Sequence, residues 1–100
     1  MKTYALFVAP WDLADRGAAD LFSWARDQGI NTIYLASVYH AGWFLLPHNR
    51  QHKAYMVDDG CCYFHPCDKE YAGTPLKPTV ASMARHRDWI KEARQFTHDL

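Results

Sequence analysis

The sequence predicts an α/β protein: a β-α-β unit, then a long loop with a β-hairpin, then a further helix. Three observations predict it. Two short apolar runs rich in β-branched and aromatic residues lie at Tyr4–Ala9 and Asn31–Tyr39, a helical apolar stripe separates them, and from His40 to Thr79 the regular patterning gives way to turn residues.

Tyr4–Ala9 is nearly unbroken in apolar character and stops at Pro10, as expected of a strand buried on both faces. Asp12 then offers an N-cap. Ala14, Ala18, Leu21, Phe22 and Ala25 recur at three- and four-residue spacing, which predicts an amphipathic helix. Gly29 stands where such a helix takes a left-handed terminal residue, with Ile30 placed to pack back on the last turn. Asn31–Tyr39 reads as the second strand. Two buried strands joined by one helix are expected to be parallel, with a right-handed crossover.

Residues 40–79 hold Pro47, Pro66, Pro75 and Pro78, the histidines His40, His48, His52 and His65, and all three cysteines. A connection this long in a compact domain usually builds a site. Within it, residues 54–65 are expected to form a hairpin about Asp59-Gly60, with Tyr55, Val57, Cys62 and Phe64 on one face and Met56 and Tyr63 on the other. From about Thr79 a stripe of Met83, Ile90, Ala93, Phe96 and Leu100 predicts a closing helix, capped by Thr79 or Ser82.

Composition narrows the function. The chain has 100 residues, 49% of them hydrophobic and 15% aromatic, which excludes global disorder. Eleven basic residues balance eleven acidic ones, so bulk charge gives no reason to expect nucleic acid or an anionic membrane as partner. No run approaches the roughly 18 apolar residues of a membrane span, and a cytoplasmic location is expected. Cys61, Cys62 and Cys67 form an odd, crowded set that suits free thiols better than a disulfide framework.

The Tyr4–Ala9 strand, the helix ending in Arg26–Thr32, the segment Ser37–Asn49 (SVYHAGWFLLPHN) and the Asp58-Asp-Gly60 turn together resemble the opening of TIM-barrel proteins of the glycoside-hydrolase type. The resemblance implies that residues 1–100 are a single, incomplete (β/α)8-type domain, the first quarter of a barrel that in full takes roughly 250 residues. It implies carbohydrate as the ligand, a catalytic carboxylate pair outside this segment and no activity from this segment alone. The remainder of a longer chain, or self-association, is then expected to cover the exposed strands.

Barrel enzymes work at the C-terminal ends of their strands, which selects Trp11, Tyr39, His40 and Trp43, with His48 able to reach the same mouth. Aromatic rings give the flat platform a pyranose needs, and histidines hydrogen-bond hydroxyls. Packing under the loop accounts equally well for Trp11 and Trp43, and a structural role equally well for His40; for His48 turn chemistry is the plainer account. Asp12 suits a cap, and Asp58 and Asp59 suit their turn, so no acid or base is nominated.

No cofactor is expected and no metal ligand set is nominated, because His48, His52, Cys61, Cys62, His65 and Cys67 form no paired zinc knuckles. Two rival readings remain. One is a small self-contained α/β module that binds a metal or a protein partner through the His/Cys-rich loop. The other is a metal-assisted hydrolase in which His40 is a ligand, against which stands the lack of an H-x-H or D-x-D pair after the first strand.

Overall fold

The computed structural model describes residues 1–100, the side chain of Asp99 aside. The chain divides into two compact units. Met1–Ala36 and Trp89–Leu100 form the first, and Ser37–Asp88, placed in the chain between them, forms the second.

The first unit contains β1 (Ala5–Val8), α1 (Pro10–Arg16), α2 (Ala18–Asp27), β2 (Thr32–Leu35) and α3 (Trp89–Arg94), with a 3-10 turn at Thr97–Asp99. β1 and β2 are parallel, with Ala5 opposite Thr32 and Phe7 opposite Tyr34. Asn31 ties the strand entrances together: its side chain accepts from the Tyr4 N–H and donates to the Lys2 carbonyl.

Between the strands lie two helices where one was expected. Gly17 adopts φ 91°, ψ 135°, which only glycine reaches without strain, and the chain turns there. Ala14 is consequently exposed, and α1 instead buries Pro10, Trp11 and Leu13. The start of α1 also differs. Pro10 has no N–H to satisfy and takes the first helical position, so Ala9 is the N-cap and Asp12 reaches back from the third position to accept the Ala9 N–H at 3.0 Å. Burial pushes the Asp12 carboxyl above its usual range, against the Ala9 N–H, while Asp15 adds to the rise.

At the other end the expectation and the geometry coincide. Gly29 has φ 83°, its N–H reaches the Arg26 carbonyl, and the Ile30 N–H reaches that of Ala25, the paired bonds of a Schellman ending.

β1 is not buried on both faces. Val8 is buried, yet Phe7 is 84% exposed and its cross-strand neighbour Tyr34 is 50% exposed, their rings 5.2 Å apart. With two strands only, the face that carries Ala5, Phe7, Thr32 and Tyr34 leaves its large rings uncovered. The core lies with Leu21, Phe22 and Ala25 of α2 and Trp89 and Ala93 of α3, where Phe22 meets Phe96.

The second unit contains β3 (Val38–Tyr39), β4 (Gly42–Leu45), β5 (Ala54–Val57), β6 (Cys61–Cys62) and β7 (Thr79–Val80), with 3-10 turns at Asp68–Tyr71 and Ser82–Ala84. β2 stops at Leu35, and Val38–Tyr39 pairs elsewhere, antiparallel to β6, which is in turn parallel to β7. The expected 54–65 hairpin does not form. Gly60 does take a left-handed φ of 55°, but β5 pairs with β4, Trp43 opposite Met56 and Leu45 opposite Ala54.

The turn chemistry at Pro47–His52 closes this other hairpin: the Leu46 N–H reaches the Lys53 carbonyl, and Asn49 Oδ1 accepts from the Gln51 and His52 N–H groups. Cys61, Cys62 and Tyr63 are all buried, which suits the central strand of a three-stranded sheet better than one arm of a surface hairpin. The closing helix is likewise shorter than its stripe: Thr79–Val80 is taken up in that sheet, Ser82–Ala84 forms a 3-10 turn that includes Met83, and α3 begins only at Trp89.

Candidate functional site

The β4–β5 hairpin holds most of the nominated residues, and side-chain alternation sorts them. Gly42 and Phe44 share one face with Tyr55 and Val57. Tyr39, half-buried at the end of β3, meets the Phe44 ring at 5.5 Å edge-on and the His40 ring at 4.5 Å. A Cβ on Gly42 would lie 4.0 Å from both His40 and Phe44, an ordinary van der Waals contact, so these two rings flank the glycine without requiring it. His40 Nδ1 lies 2.8 Å from the Ala41 carbonyl, which can only accept, so Nδ1 carries a proton and donates it there.

Trp43 lies on the opposite face, 70% exposed, with Leu45 (82%) beside it and half-exposed Met56 across the ladder. His48 is exposed in the 46–53 loop. Trp11 belongs to the first unit and is buried to 3% exposure, so its ring serves packing and offers no platform. Within the second unit the nominated residues divide between the two faces of β4. They form an aromatic corner of Tyr39, His40 and Phe44 and, on the other side of β4, an apolar platform of Trp43, Leu45 and Met56. Leu45 is hidden in a segment read as loop, and the expected 54–65 hairpin pairs Met56 with the wrong strand; the two apolar runs Gly42–Leu45 and Ala54–Val57, flanking the turn residues Pro47–Asn49, are the signal that joins them.

Asp58, His65 and Asp88 serve the fold. Asp58 accepts from both the N–H and the hydroxyl of Ser82, each at 2.8 Å, and these two bonds hold its carboxyl below the usual carboxylate range. His65 donates through Nε2 to the Ala84 carbonyl at 2.7 Å, while its N–H is received by Asp88. Burial, with Asp58 nearby, pushes the Cys61 thiol up, the wrong direction for a nucleophile. Cys61, Cys62 and Cys67 are all free. Among the described residues no group of three His, Cys, Asp or Glu side chains could hold a metal ion, and no helix is long and apolar enough to cross a membrane.

A carboxyl held low in the folded state stabilises fully above its ordinary value of 3.8 and ceases to as pH falls through the lower folded value. Asp58→Asn is therefore expected to cost about 1 kcal/mol at neutral pH, less than the roughly 1.5–3 kcal/mol of a buried charged acceptor because solvent reaches the carboxylate. The difference from the parent protein should vanish in strong acid. Urea melts of both proteins at neutral pH and near pH 2 check this; a difference independent of pH would assign the effect to shape alone.

Comparison of the chain with protein families, curated proteins and solved structures finds no match.

Proposed function

We propose that residues 1–100 form the opening portion of a barrel-type, carbohydrate-binding protein in which residues 37–88 are the ligand-binding insertion. The observation that carries the reading is chain order: β1, helices, β2, then a unit of its own, then α3 again in the first unit. Such an insertion follows the C-terminal end of a parallel strand, the position where barrel enzymes build their binding loops. The open face of β1 and β2 supports it, since alternate side chains of barrel strands fill the interior, and the exposed Phe7 and Tyr34 would take such positions in a barrel.

Within the insertion Trp43 is the platform. An indole fixed on a hydrogen-bonded ladder loses little freedom when a pyranose C–H face settles on it, and His40 and Tyr39 stay on the other side of β4 to fix the strand. The catalytic carboxylates of such a protein lie outside this segment, and its free thiols suit the cytoplasm. A second reading, a module docking a protein partner, draws on aliphatic Leu45 and Met56 beside Trp43.

Electrophoresis through gels containing soluble polysaccharides separates the two. Retardation by a glycan is expected, and Trp43→Ala should weaken it at least fivefold, the equivalent of about 1 kcal/mol for a lost ring contact. A protein that no polysaccharide slows, or a variant slowed as much as its parent, overturns the carbohydrate reading.

A further inference from the structure

Between Asp27 and Asp58 the sequence contains no acidic residue, while Arg50, Lys53, His48 and His52 all fall in the loop that closes the β4–β5 hairpin. All four are exposed. The loop is also well held: in addition to the Asn49 bonds, Lys53 Nζ donates to the Pro47 carbonyl at 3.0 Å, which draws that cation across the turn. A chain of zero net charge thus carries a local cationic tip on the hairpin whose strands hold the exposed apolar platform.

From this juxtaposition we propose that the hairpin takes an anionic polysaccharide, a linear chain of carboxylate-bearing pyranoses, with one sugar face on Trp43 and neighbouring carboxylates at Arg50 and Lys53. The proposal rests on the carbohydrate reading and names its ligand class. Trp43 and Leu46 are three residues apart, about 10 Å along an antiparallel strand, so a polymer laid parallel to β4 passes from platform to tip within a few sugars. Guanidinium matches a carboxylate with two parallel hydrogen bonds, and ammonium supplies a point charge.

The order of groups speaks against a lipid surface. A hairpin that enters a membrane presents apolar side chains outermost with cations behind them, whereas here Trp43, Leu45 and Met56 are on the stem and the cations are at the end.

The test compares polygalacturonate, its methyl ester, a neutral glucan and vesicles of phosphatidylserine and phosphatidylcholine, using the whole chain and an Arg50→Gln/Lys53→Gln variant checked for native circular dichroism. The acid form is expected to bind about tenfold tighter than the ester, and the double variant and physiological salt should each remove most of that advantage. Equal binding of acid and ester, or an unaffected double variant, overturns the anionic preference and leaves the carbohydrate reading in place. No binding to any glycan overturns both, and binding to the vesicles alone replaces them with a membrane-docking role.

Discussion

Phe22→Ala is expected to destabilise the first unit by about 3–5 kcal/mol, the usual cost of removing a large buried ring. The ring is almost wholly buried, at the middle of α2 between Leu21 and Ala25, and it meets Phe96 at 6.3 Å between centroids. A unit this small has little stability in reserve, since whole domains retain only about 5–15 kcal/mol. Urea melts followed by circular dichroism should show the loss. Hydrogen exchange should place it: amides of residues 1–36 and 89–100 lose protection while those of β5 and β6 keep theirs, because each unit has its own core. A cost below about 1 kcal/mol would mean that the apolar face of α2 is not the core its spacing declares.

The first unit was largely legible for a physical reason. Local signals there agree with one another: a Pro10 stop, a helical stripe, a glycine where the backbone must go left-handed and an apolar second strand all call for the same β-α-β order, and β1 and β2 do pair in parallel. What the spacing could not convey was the break at Gly17, because a glycine inside a helical stripe costs only about 1 kcal/mol relative to alanine and reads as tolerated. It also could not convey which face of β1 would lie open. An apolar run such as Tyr4–Ala9 records that neighbours are wanted without recording whether they are present.

In the second unit the partners are chosen over longer range. Asp59-Gly60 is a sound turn and does turn, yet the strand after it, Cys61–Cys62, finds β3 and β7, whose pairing with it buries Cys61, Cys62 and Tyr63 together. A hairpin of Ala54–Val57 with Cys61–His65 would have left those three at a surface. Meanwhile Asn49 supplied the turn that β5 used instead. The choice between two competent turns was made by tertiary burial, a quantity that local pattern does not contain. The same competition divided the nominated site: once β4 became a strand, its pleat sent Trp43 one way and Phe44, with Tyr39 and His40, the other.

Tyr63 is the largest fully buried side chain of the second unit, and Tyr63→Ala should therefore cost about as much as the loss of Phe22, again about 3–5 kcal/mol. Tyr63 is fully buried directly after β6, its N–H donates to the Ser37 carbonyl at 2.9 Å, and burial holds its phenol far above the ordinary range. The ring is what a small three-stranded sheet has in place of a larger core. Tyr63→Phe keeps that volume and is expected to retain most of the stability, which separates packing from the hydroxyl. In Tyr63→Ala, exchange protection at β3, β6 and β7 should fall together, and retardation by polysaccharide should fall with it, while helical circular dichroism from α1, α2 and α3 persists. If instead helices and sheets melt as one in both Phe22→Ala and Tyr63→Ala, the chain behaves as a single cooperative body, and the independent insertion on which the barrel reading relies is lost.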